Sequence, residues 1–428
     1  MQLILDSRQL PATWKVKTLD ELCEIARGGS PRPIKQFITS DSNGVNWIKI
    51  SDASASSKYI YETKEKIKPE GIKHSRLVSE GDFILSNSMS FGRPYIMRTS
   101  GCIHDGWLVL KDKSNLFDQD YLYYFLGSST TYKQFDSLAA GSTVRNLNID
   151  LVKGVKVILP PLSEQKRIVS IVDEAFEGID RAIANTEKNL ANAHELFESY
   201  LNAVFTQKGE GWEKKKLGDI ASFRNGINFT KDSKGELIRI VGVKDFKDRF
   251  WIQEDRLEYV TIDGELKEID TLRKGDVLTV RSNGNKELIG RCVLADELSE
   301  KTSHSGFTIR IRIERDNIYS AFIVHFLKSR ELRKQLIDSG GGISISSLNQ
   351  QGLSLIMISF PSLPEQKTIV ANIDELAIET QRLEAIYKQK LAALKELKQS
   401  ILHKAFTGEL TADTATQNMK ATKEAIEV

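Results

Sequence analysis

Two histidines are the first side chains to consider for chemistry, because they stand in matching settings. His104 and His304 each begin a His-x-Gly triplet. A histidine can act as a general base near neutral pH, but it then needs a nucleophile or a metal within reach. The sequence shows no such partner beside either histidine, so the pattern favours a structural or a ligand-contacting role.

Motifs of the common catalytic classes are absent from the sequence. It contains no Gly-x-Gly-x-x-Gly and no phosphate-binding Gly-x-x-x-x-Gly-Lys-Ser/Thr, no His-Glu-x-x-His and no Cys-x-x-Cys, and no Gly-x-Ser-x-Gly. The three cysteines, Cys23, Cys102 and Cys292, lie far apart. They form neither a metal pattern nor a disulfide framework, which is typical of a reducing cytosol. With no signal peptide or long apolar run evident, we expect a cytoplasmic protein with no membrane partner.

The composition is that of a globular protein with more than one domain. The chain has 428 residues, of which 40% are hydrophobic and 28% charged, and this length exceeds that of one ordinary core. The net charge is only +2, which argues against a strongly basic coat protein for nucleic acid. Basic side chains are in slight excess in the stretches before residue 160 and between residues 207 and 361.

A duplicated motif dominates the organisation of the chain. Residues 160–169 read PPLSEQKRIV and residues 361–370 read PSLPEQKTIV, with seven of the ten positions identical at an offset of 201. Weaker matches precede it, including a Gly-Asp pair at 81–82 and at 275–276, and we pair the two His-x-Gly triplets in the same way. This repeat predicts that one unit of about two hundred residues occurs twice.

Each motif is followed by the pattern of a long helix. Apolar residues recur there at three- and four-residue spacing, which predicts two coiled-coil helices. Neither is stable alone, so we expect them to pack on each other rather than each on its own globular part. Thr186 and Asn189 interrupt the first apolar seam, and Thr380 and Lys390 the second. We expect the matched pair Asn189 and Lys390 to lie in the seam and fix the register.

The stretches before the motifs have the pattern of mixed α/β domains. Short apolar or alternating runs predict strands near 45–50, 83–85 and 107–110 in the first copy and near 237–241, 277–280 and 307–313 in the second. Short helices are expected near 119–137 and 317–337. The fold class is therefore mixed α/β, with two globular domains in a tandem repeat.

The tandem pattern resembles the specificity subunit of type I restriction-modification systems. The motifs that carry the resemblance are the two Pro-x-Leu-x-Glu-Gln segments, each followed by a long helix ending in the Phe-Thr of residues 205–206 or 406–407. The Arg-Gly-Gly-Ser-Pro of residues 27–31 is also similar to the family, whereas residues 224–226 keep only Arg-Asn-Gly. The resemblance covers nearly the whole chain.

The resemblance implies two target-recognition domains joined by two long antiparallel coiled-coil helices with pseudo-two-fold symmetry. Each domain reads one half of a split, asymmetric site on double-stranded DNA. The helices dock two methylation subunits, and restriction subunits complete the complex. The chain then carries no cofactor and is no enzyme itself, while the other subunits use S-adenosylmethionine, ATP and Mg²⁺. The implied division is domain 1 at 1–160, spacer helix 1 at 161–206, domain 2 at 207–361, spacer helix 2 at 362–410 and a tail at 411–428.

Side-chain chemistry indicates the candidate DNA contacts. Arg and Lys suit guanine or phosphate, Asn suits adenine, and hydroxyls accept several partners. In the first domain the candidates are Arg27, Ser30, Arg32, Lys49, Asn87, Ser88, Arg93, His104, Ser142, Thr143 and Arg145. In the second they are Arg224, Asn225, Lys244, Arg281, Asn283, Asn285, Lys286, Arg291, His304, Ser344 and Ser346. The candidates for partner docking are Glu164, Gln165, Glu365 and Gln366. No catalytic or metal-binding residue is expected.

Two other functions remain open from the sequence. A coiled-coil adaptor that binds only protein has no salt-dependent affinity for DNA. A fused nuclease or methyltransferase is active by itself with Mg²⁺ or S-adenosylmethionine, but the Asn/Asp-Pro-Pro-Tyr/Phe and Pro-Asp…Glu-x-Lys motifs of such enzymes are missing.

Overall fold

The computed structural model describes residues 10–54, 58–87, 91–113, 115–138, 147–247, 250–285, 288–330, 332 and 348–412. The chain divides into two compact units, of which the first comprises Met1–Glu187 with Lys388–Val428 and the second Lys188–Tyr387. Each unit therefore consists of one globular domain, half of one long helix and half of the other.

The first unit is a mixed α/β structure. Its strands are β1 Lys15–Thr18, β2 Cys23–Arg27, β3 Ile38–Thr39, β4 Val45–Ile48, β5 Tyr59–Ile60, β6 Glu65–Ile67, β7 Arg76–Val78, β8 Phe83–Ser86, β9 Pro94–Met97, β10 Gly101–Ile103, β11 Trp107–Asp112 and β12 Lys156–Leu159. Its helices are α1 Leu19–Leu22, α2 Ile50–Ser54, α3 Gln119–Leu126, α4 Ser129–Leu138, α5 Ile149–Lys153 and the first part of α6 Leu162–Thr206. In the described part, the strands form sheets in the orders β2-β11-β8-β9-β5, β3-β6-β4-β10-β7 and β1-β12.

The second unit repeats this plan with fewer strands in the described residues. Its strands are β13 Glu213–Lys216, β14 Ala221–Asn225, β15 Leu237–Val241, β16 Glu258–Thr261, β17 Val277–Val280, β18 Cys292–Leu294, β19 Thr302–His304, β20 Thr308–Ile313 and β21 Met357–Phe360. Its helices are α7 Ser320–Lys328, α8 Gln350–Leu355 and the first part of α9 Leu363–Thr407. The sheet orders are β14-β20-β17-β18, β16-β15-β19 and β13-β21. The predicted mixed α/β class is confirmed.

Alternation along the strands explains how each sheet can pack on both faces. Leu85 and Leu108 belong to the core that includes α3 and the long helices, whereas Ile84 and Val109 belong to the core on the other side of the sheet. Successive side chains of a strand point to opposite faces. The apolar runs predicted at 83–85 and 107–110 are thus strands buried on both faces.

The long helices pair with each other inside the first unit. Phe406, near the end of α9, packs against Tyr121 and Phe125 of α3, with ring centroids 5.5 and 5.0 Å apart. Further back along α9, Lys398 forms an ion pair with Asp180 of α6 and lies 4.5 Å from the Phe176 ring centroid. The first part of α6 therefore runs antiparallel to the last part of α9.

The second unit repeats this packing with the helices exchanged. Phe205, near the end of α6, contacts Phe322 and Phe326 of α7 at 5.2 and 5.5 Å between ring centroids. Each of these three positions lies 201 residues from its counterpart in the first unit. Val370 and Ile373 of α9 share the same buried core. The two predicted antiparallel helices are confirmed.

The seam between the helices differs from its prediction in one respect. Asn189 and Lys390 are exposed, whereas Thr186 and Thr380 are buried. Their hydroxyls donate to the carbonyls of Ala182 at 2.7 Å and Leu376 at 2.8 Å, so a threonine is buried without an unpaired polar group. The assignment of Asn189 and Lys390 to the seam is wrong, because both residues lie outside the buried face of their helices.

Candidate nucleic-acid interface

Three chain segments meet at one edge of the first domain, and we call residues 27–32, 86–87 and 103–107 the first corner. Backbone N–H groups join them: Gly28 donates to the carbonyl of Trp107 at 2.9 Å, and Gly29 to that of Ile103 at 3.1 Å. A Cβ on Gly28 would stand 2.1 Å from the His104 carbonyl oxygen. Only glycine permits this approach, which explains the glycines of the Arg-Gly-Gly-Ser-Pro segment.

The second domain builds the same backbone arrangement, and we call residues 224–227, 280–284 and 303–308 the second corner. Gly226 donates to the carbonyl of Thr308 at 3.2 Å, and Ile227 to that of His304 at 2.9 Å. A Cβ on Gly226 would stand 2.2 Å from the Ser305 carbonyl oxygen. The shortened Arg-Asn-Gly motif thus keeps the one glycine that this packing requires.

The hydrogen bonds correct the pairing of the two His-x-Gly triplets. Trp107 donates to the carbonyl of His104 at 3.1 Å, and the equivalent bond in the second domain runs from Thr308 to Ser305 at 2.9 Å. Ser305 is therefore the structural counterpart of His104, and the position of His304 corresponds to Ile103. Matching the triplets by sequence shifts this segment by one residue, because a strand register is set by its partner strands.

The same comparison aligns side chains of different chemistry. The N–H of Asn87 donates to the carbonyl of Gly106 at 3.0 Å, and that of Arg281 to the carbonyl of Phe307 at 2.8 Å. Arg281 therefore stands where the first domain has Asn87, and Phe307 stands where it has Gly106. One backbone scaffold presents two different sets of groups.

Four predicted contact residues of the first corner converge on Asp105, which the sequence analysis did not select. Its carboxylate accepts from the Ser30 hydroxyl at 2.7 Å and lies 3.6 Å from Arg32. Its carbonyl accepts from Nε of Arg27 at 3.0 Å and from Nδ2 of Asn87 at 2.8 Å. Asp105 thus positions two arginines that are themselves exposed. The hydrogen bond from Ser30 is the largest cause that lowers the pKa of Asp105, which keeps it ionised.

His104 is held in one neutral form at this corner. Its Nδ1 accepts from the N–H of Gly106 at 2.8 Å, so the ring carries its proton on Nε2. Burial lowers the pKa of His104 against the opposing charge of Asp105. The histidine therefore offers an N–H donor at neutral pH.

The predicted residues of the second corner have different partners. Arg224 pairs with Asp270 at 2.5 Å, and this contact raises the pKa of the arginine. His304 is only 1% exposed, and its Nδ1 lies 2.8 Å from the hydroxyl of Thr308. Burial, followed by the charge of Arg310, lowers the pKa of His304 to about 3. His304 is thus a neutral internal residue in the described structure, and direct contact with DNA does not fit its position.

Other predicted contact residues lie around the corners or apart from them. Lys49 and Lys244 form ion pairs with Glu65 and Glu258. Arg93, Asn225 and Asn285 are exposed, Arg281, Asn283 and Arg291 are half-buried, and Asn87 is buried. The candidates that lie outside the described residues are Ser88, Ser142, Thr143, Arg145, Lys286, Ser344 and Ser346. DNA contact by any single residue stays a prediction.

The four predicted docking residues separate into two kinds. Glu365 is exposed and Glu164 is half-buried, whereas Gln165 and Gln366 are 0% exposed. Gln165 donates to the carbonyls of Leu116 and Pro160 at 3.0 and 2.9 Å. Since a wholly buried amide offers no surface, direct partner docking by the two glutamines is not supported.

The described residues show neither a metal-binding cluster nor a membrane-spanning helix. No group of three or more His, Cys, Asp or Glu side chains there could hold a metal ion. No helix among them combines the length and the apolar character needed to cross a bilayer.

Comparison with known proteins identifies the family. The sequence profile described as type I restriction modification DNA specificity domain matches residues 11–192 and again residues 209–394. The chain belongs to this family. The two matches also correspond to the two copies inferred from the repeat.

Relatives of known name support the same family. The chain is 25% identical over 373 residues to the type I restriction enzyme StySPI specificity subunit of Salmonella potsdam, covering 81% of this chain and 78% of the relative. It is 26% identical over 373 residues to the EcoKI specificity subunit of Escherichia coli K12, with the same coverages.

Solved structures of similar fold extend over nearly the full chain. One, from work on complex assembly and conformational transition of the type I R-M system, matches with a TM-score of 0.75 at 20% identity, covering 94% of this chain and 99% of the other. The HsdS subunit of Thermoanaerobacter tengcongensis matches with a TM-score of 0.58 at 21% identity, covering 94% and 98%. These likenesses support the tandem α/β fold with its two long helices.

Within this family fold, the sequence analysis missed Asp105, Ser305 and Phe307. Side-chain type alone did not indicate Asp105 or Phe307, because base and phosphate contacts favour cationic and amide groups. Phe307 had a signal, since it precedes a strand of alternating apolar and basic residues. The shifted register hid the equivalence of Ser305 and His104.

Proposed function

We propose that this chain is the non-catalytic DNA-recognition subunit of a type I restriction-modification complex. Each globular domain reads one half of a split site on double-stranded DNA, and the two half-sites differ in sequence. The observation that carries this proposal is the pair of corners, in which the same backbone scaffold presents different side chains.

The chemistry of the corners supports readout of unlike sequences. Asn87 and Arg281 occupy equivalent positions. Asn87 is buried and donates to the carbonyl of Asp105, whereas Arg281 is half-buried, and Arg suits guanine. The first corner adds Arg27 and Arg32 beside Asp105, while the second has the exposed ring of Phe307. Different functional groups on a common frame favour different bases.

The long helices supply the surface for two methylation subunits. Each begins with a Glu-Gln pair whose glutamine is buried and whose glutamate is at least partly exposed, so the glutamates are available to a partner. The two copies of this feature fit two copies of one subunit. S-adenosylmethionine serves the methylation subunits, ATP and Mg²⁺ serve the complex with its restriction subunits, and this chain binds none of them.

Mapping of modified bases tests the proposal. In cells that make this chain with its methylation partners, we expect methyladenine in one split, asymmetric motif. Replacing residues 1–160 with the same segment of a relative changes one half of the motif and leaves the other half intact. Absence of any motif, or a change in both halves, contradicts the proposal.

Two further measurements separate it from the alternatives. Salt-dependent affinity for DNA is expected when the methylation subunits are present, and its absence favours a protein-binding adaptor. Methylation or cleavage of DNA by the isolated chain favours a fused enzyme instead.

A further inference from the structure

The second corner encloses an open pocket of about 360 Å³. Its lining includes Phe229, Val243, Asn283, Gly284, Ser305 and Phe307. The lining therefore combines aromatic and aliphatic side chains with polar groups. Mostly apolar walls with a few polar groups are the usual setting for a small organic ligand.

Two of these side chains lack the contacts that their chemistry favours. The Phe307 ring is 62% exposed. The Ser305 hydroxyl is buried, the residue being 6% exposed, and it has no hydrogen-bond partner among the residues that the structure describes. A buried hydroxyl without a partner is costly, and a ligand that stacks on the ring and bonds to the hydroxyl relieves both conditions.

We propose that this pocket receives one base of the second half-site, unstacked from the DNA duplex. The inference rests on the proposed function, because it names the group that the second domain recognises. The base lies against Phe307, its edge forms a hydrogen bond with the Asn283 amide, and rotation of the Ser305 side chain brings its hydroxyl to the same edge. Extruded bases are bound in this way, between aromatic or apolar walls and polar groups that read the edge.

Neighbouring groups support entry of a nucleotide. A Cβ on Gly284 would meet no atom within 4 Å, so space is free on that side. The amide of Asn283 is oriented, since its Oδ1 accepts from the N–H of Asn285 at 2.8 Å. Lys244 and Glu258 also line the pocket, where they form an ion pair.

The first corner provides an internal comparison. Gly106 stands where the second corner has Phe307 and brings no ring, and His104 stands where it has Ser305. The polar side chains of the first corner are hydrogen-bonded to Asp105 instead. Base extrusion is therefore expected in the second half-site and not in the first.

Fluorescent base analogues test this proposal in the complex with its methylation subunits. The duplex carries the motif found by methyladenine mapping, and an analogue that brightens on unstacking replaces one base at a time. The adenines that become methylated are left unchanged, because their own extrusion gives the same signal. We expect a rise of several-fold at one position of the second half-site and at none of the first.

Two variants and one control connect the signal to the pocket. Phe307→Ala abolishes the rise, whereas Leu237→Ala keeps it, because Leu237 is equally exposed at 63% but does not line the pocket. Ser305→Ala lowers discrimination at the extruded position about tenfold without lowering stability, since it removes an unpaired hydroxyl.

The outcomes distinguish this inference from the proposed function. Sequence-specific binding without a rise at any second-half position overturns the pocket and leaves the proposed function intact. Loss of affinity on replacing thymine by deoxyuridine, with no rise in fluorescence, assigns Phe307 to a methyl group of stacked DNA and also overturns it. Absence of sequence-specific binding overturns the proposed function itself.

Discussion

Gln366 accepts a hydrogen bond at its Oε1 from the N–H of Tyr319 at 2.9 Å, just before α7 begins. Its Nε2 donates to the carbonyls of Asn317 and Pro361 at 3.0 and 2.9 Å. Gln165 makes the same three kinds of bond 201 residues earlier. The repeated Glu-Gln motif thus fixes the first turn of each long helix to its globular domain.

Gln366→Glu is expected to destabilise the second unit by about 1–3 kcal/mol, because a buried carboxylate cannot donate to the two carbonyls. The melting temperature measured by calorimetry tests this. Gln381→Glu is the matched control, since Gln381 is exposed on the same helix. Equal melting temperatures for the two variants argue against the role of Gln366.

Glu365→Lys is expected to lower stability by about 1 kcal/mol, because it reverses a charge in the first turn of α9, and to weaken association with the methylation subunits by about tenfold. The side chain is exposed beside the buried Gln366, and reversal of a charge at an interface lowers affinity. Analytical ultracentrifugation of the mixed subunits measures the effect. Glu62→Lys serves as the control, because Glu62 is exposed and lies outside the long helices. Equal association of both variants with the methylation subunits contradicts a docking role for Glu365.

Asp105→Asn is expected to relax recognition of the first half-site while raising affinity for unrelated DNA. The substitution removes a negative charge and loosens the positions of Ser30 and Arg32. Discrimination against a wrong base in that half-site falls by about tenfold. Competition binding and methyladenine mapping measure both effects, with Asp41→Asn as an exposed control in the same domain. A change in the second half-site contradicts the prediction.

Arg281→Ala is expected to weaken binding by about 1–3 kcal/mol, as for loss of an arginine that reads a base or bridges phosphates. Arg281→Asn introduces the residue that the first domain has at the equivalent position, and it shifts the base preference of the second half-site only. Arg256→Ala is the control, because Arg256 is exposed in the same domain away from the corner. Equal affinities of the two Ala variants for DNA contradict a contact between Arg281 and DNA.

The buried His304 is expected to make the stability of the second unit depend on pH. The fold lowers its pKa from 6.5 to about 3, so the unfolded chain binds the proton more readily throughout that window. Stability therefore falls as the pH falls from about 6.5 toward 3, by about 2 kcal/mol between pH 6.5 and 5. Melting temperatures at the two pH values measure this dependence.

His304→Asn is expected to flatten that dependence, because asparagine does not titrate. His403→Asn keeps it, since His403 is exposed and belongs to the first unit. A wild-type slope in the His304 variant assigns the acid sensitivity to other groups.

The sequence by itself determined the tandem repeat, the α/β class and the two long helices. These features depend on local periodicity: apolar residues three and four apart define a helix face, and buried strands appear as short apolar runs. The duplicated Pro-x-Leu-x-Glu-Gln motif also indicated the family, and hence a role in DNA specificity. It placed Arg27, Ser30 and Arg32 correctly in one segment, because they are neighbours in the chain.

Only the tertiary structure decided which distant groups meet and which residues are equivalent. It brought Asp105 to Ser30 and Arg32, turned Asn189 and Lys390 away from the helix seam, and buried Gln165, Gln366 and His304. It also matched His104 with Ser305, although the sequence suggested His304. Such relationships are set by hydrogen bonds between strands far apart in the chain, where a shift of one residue changes every contact without changing the local pattern.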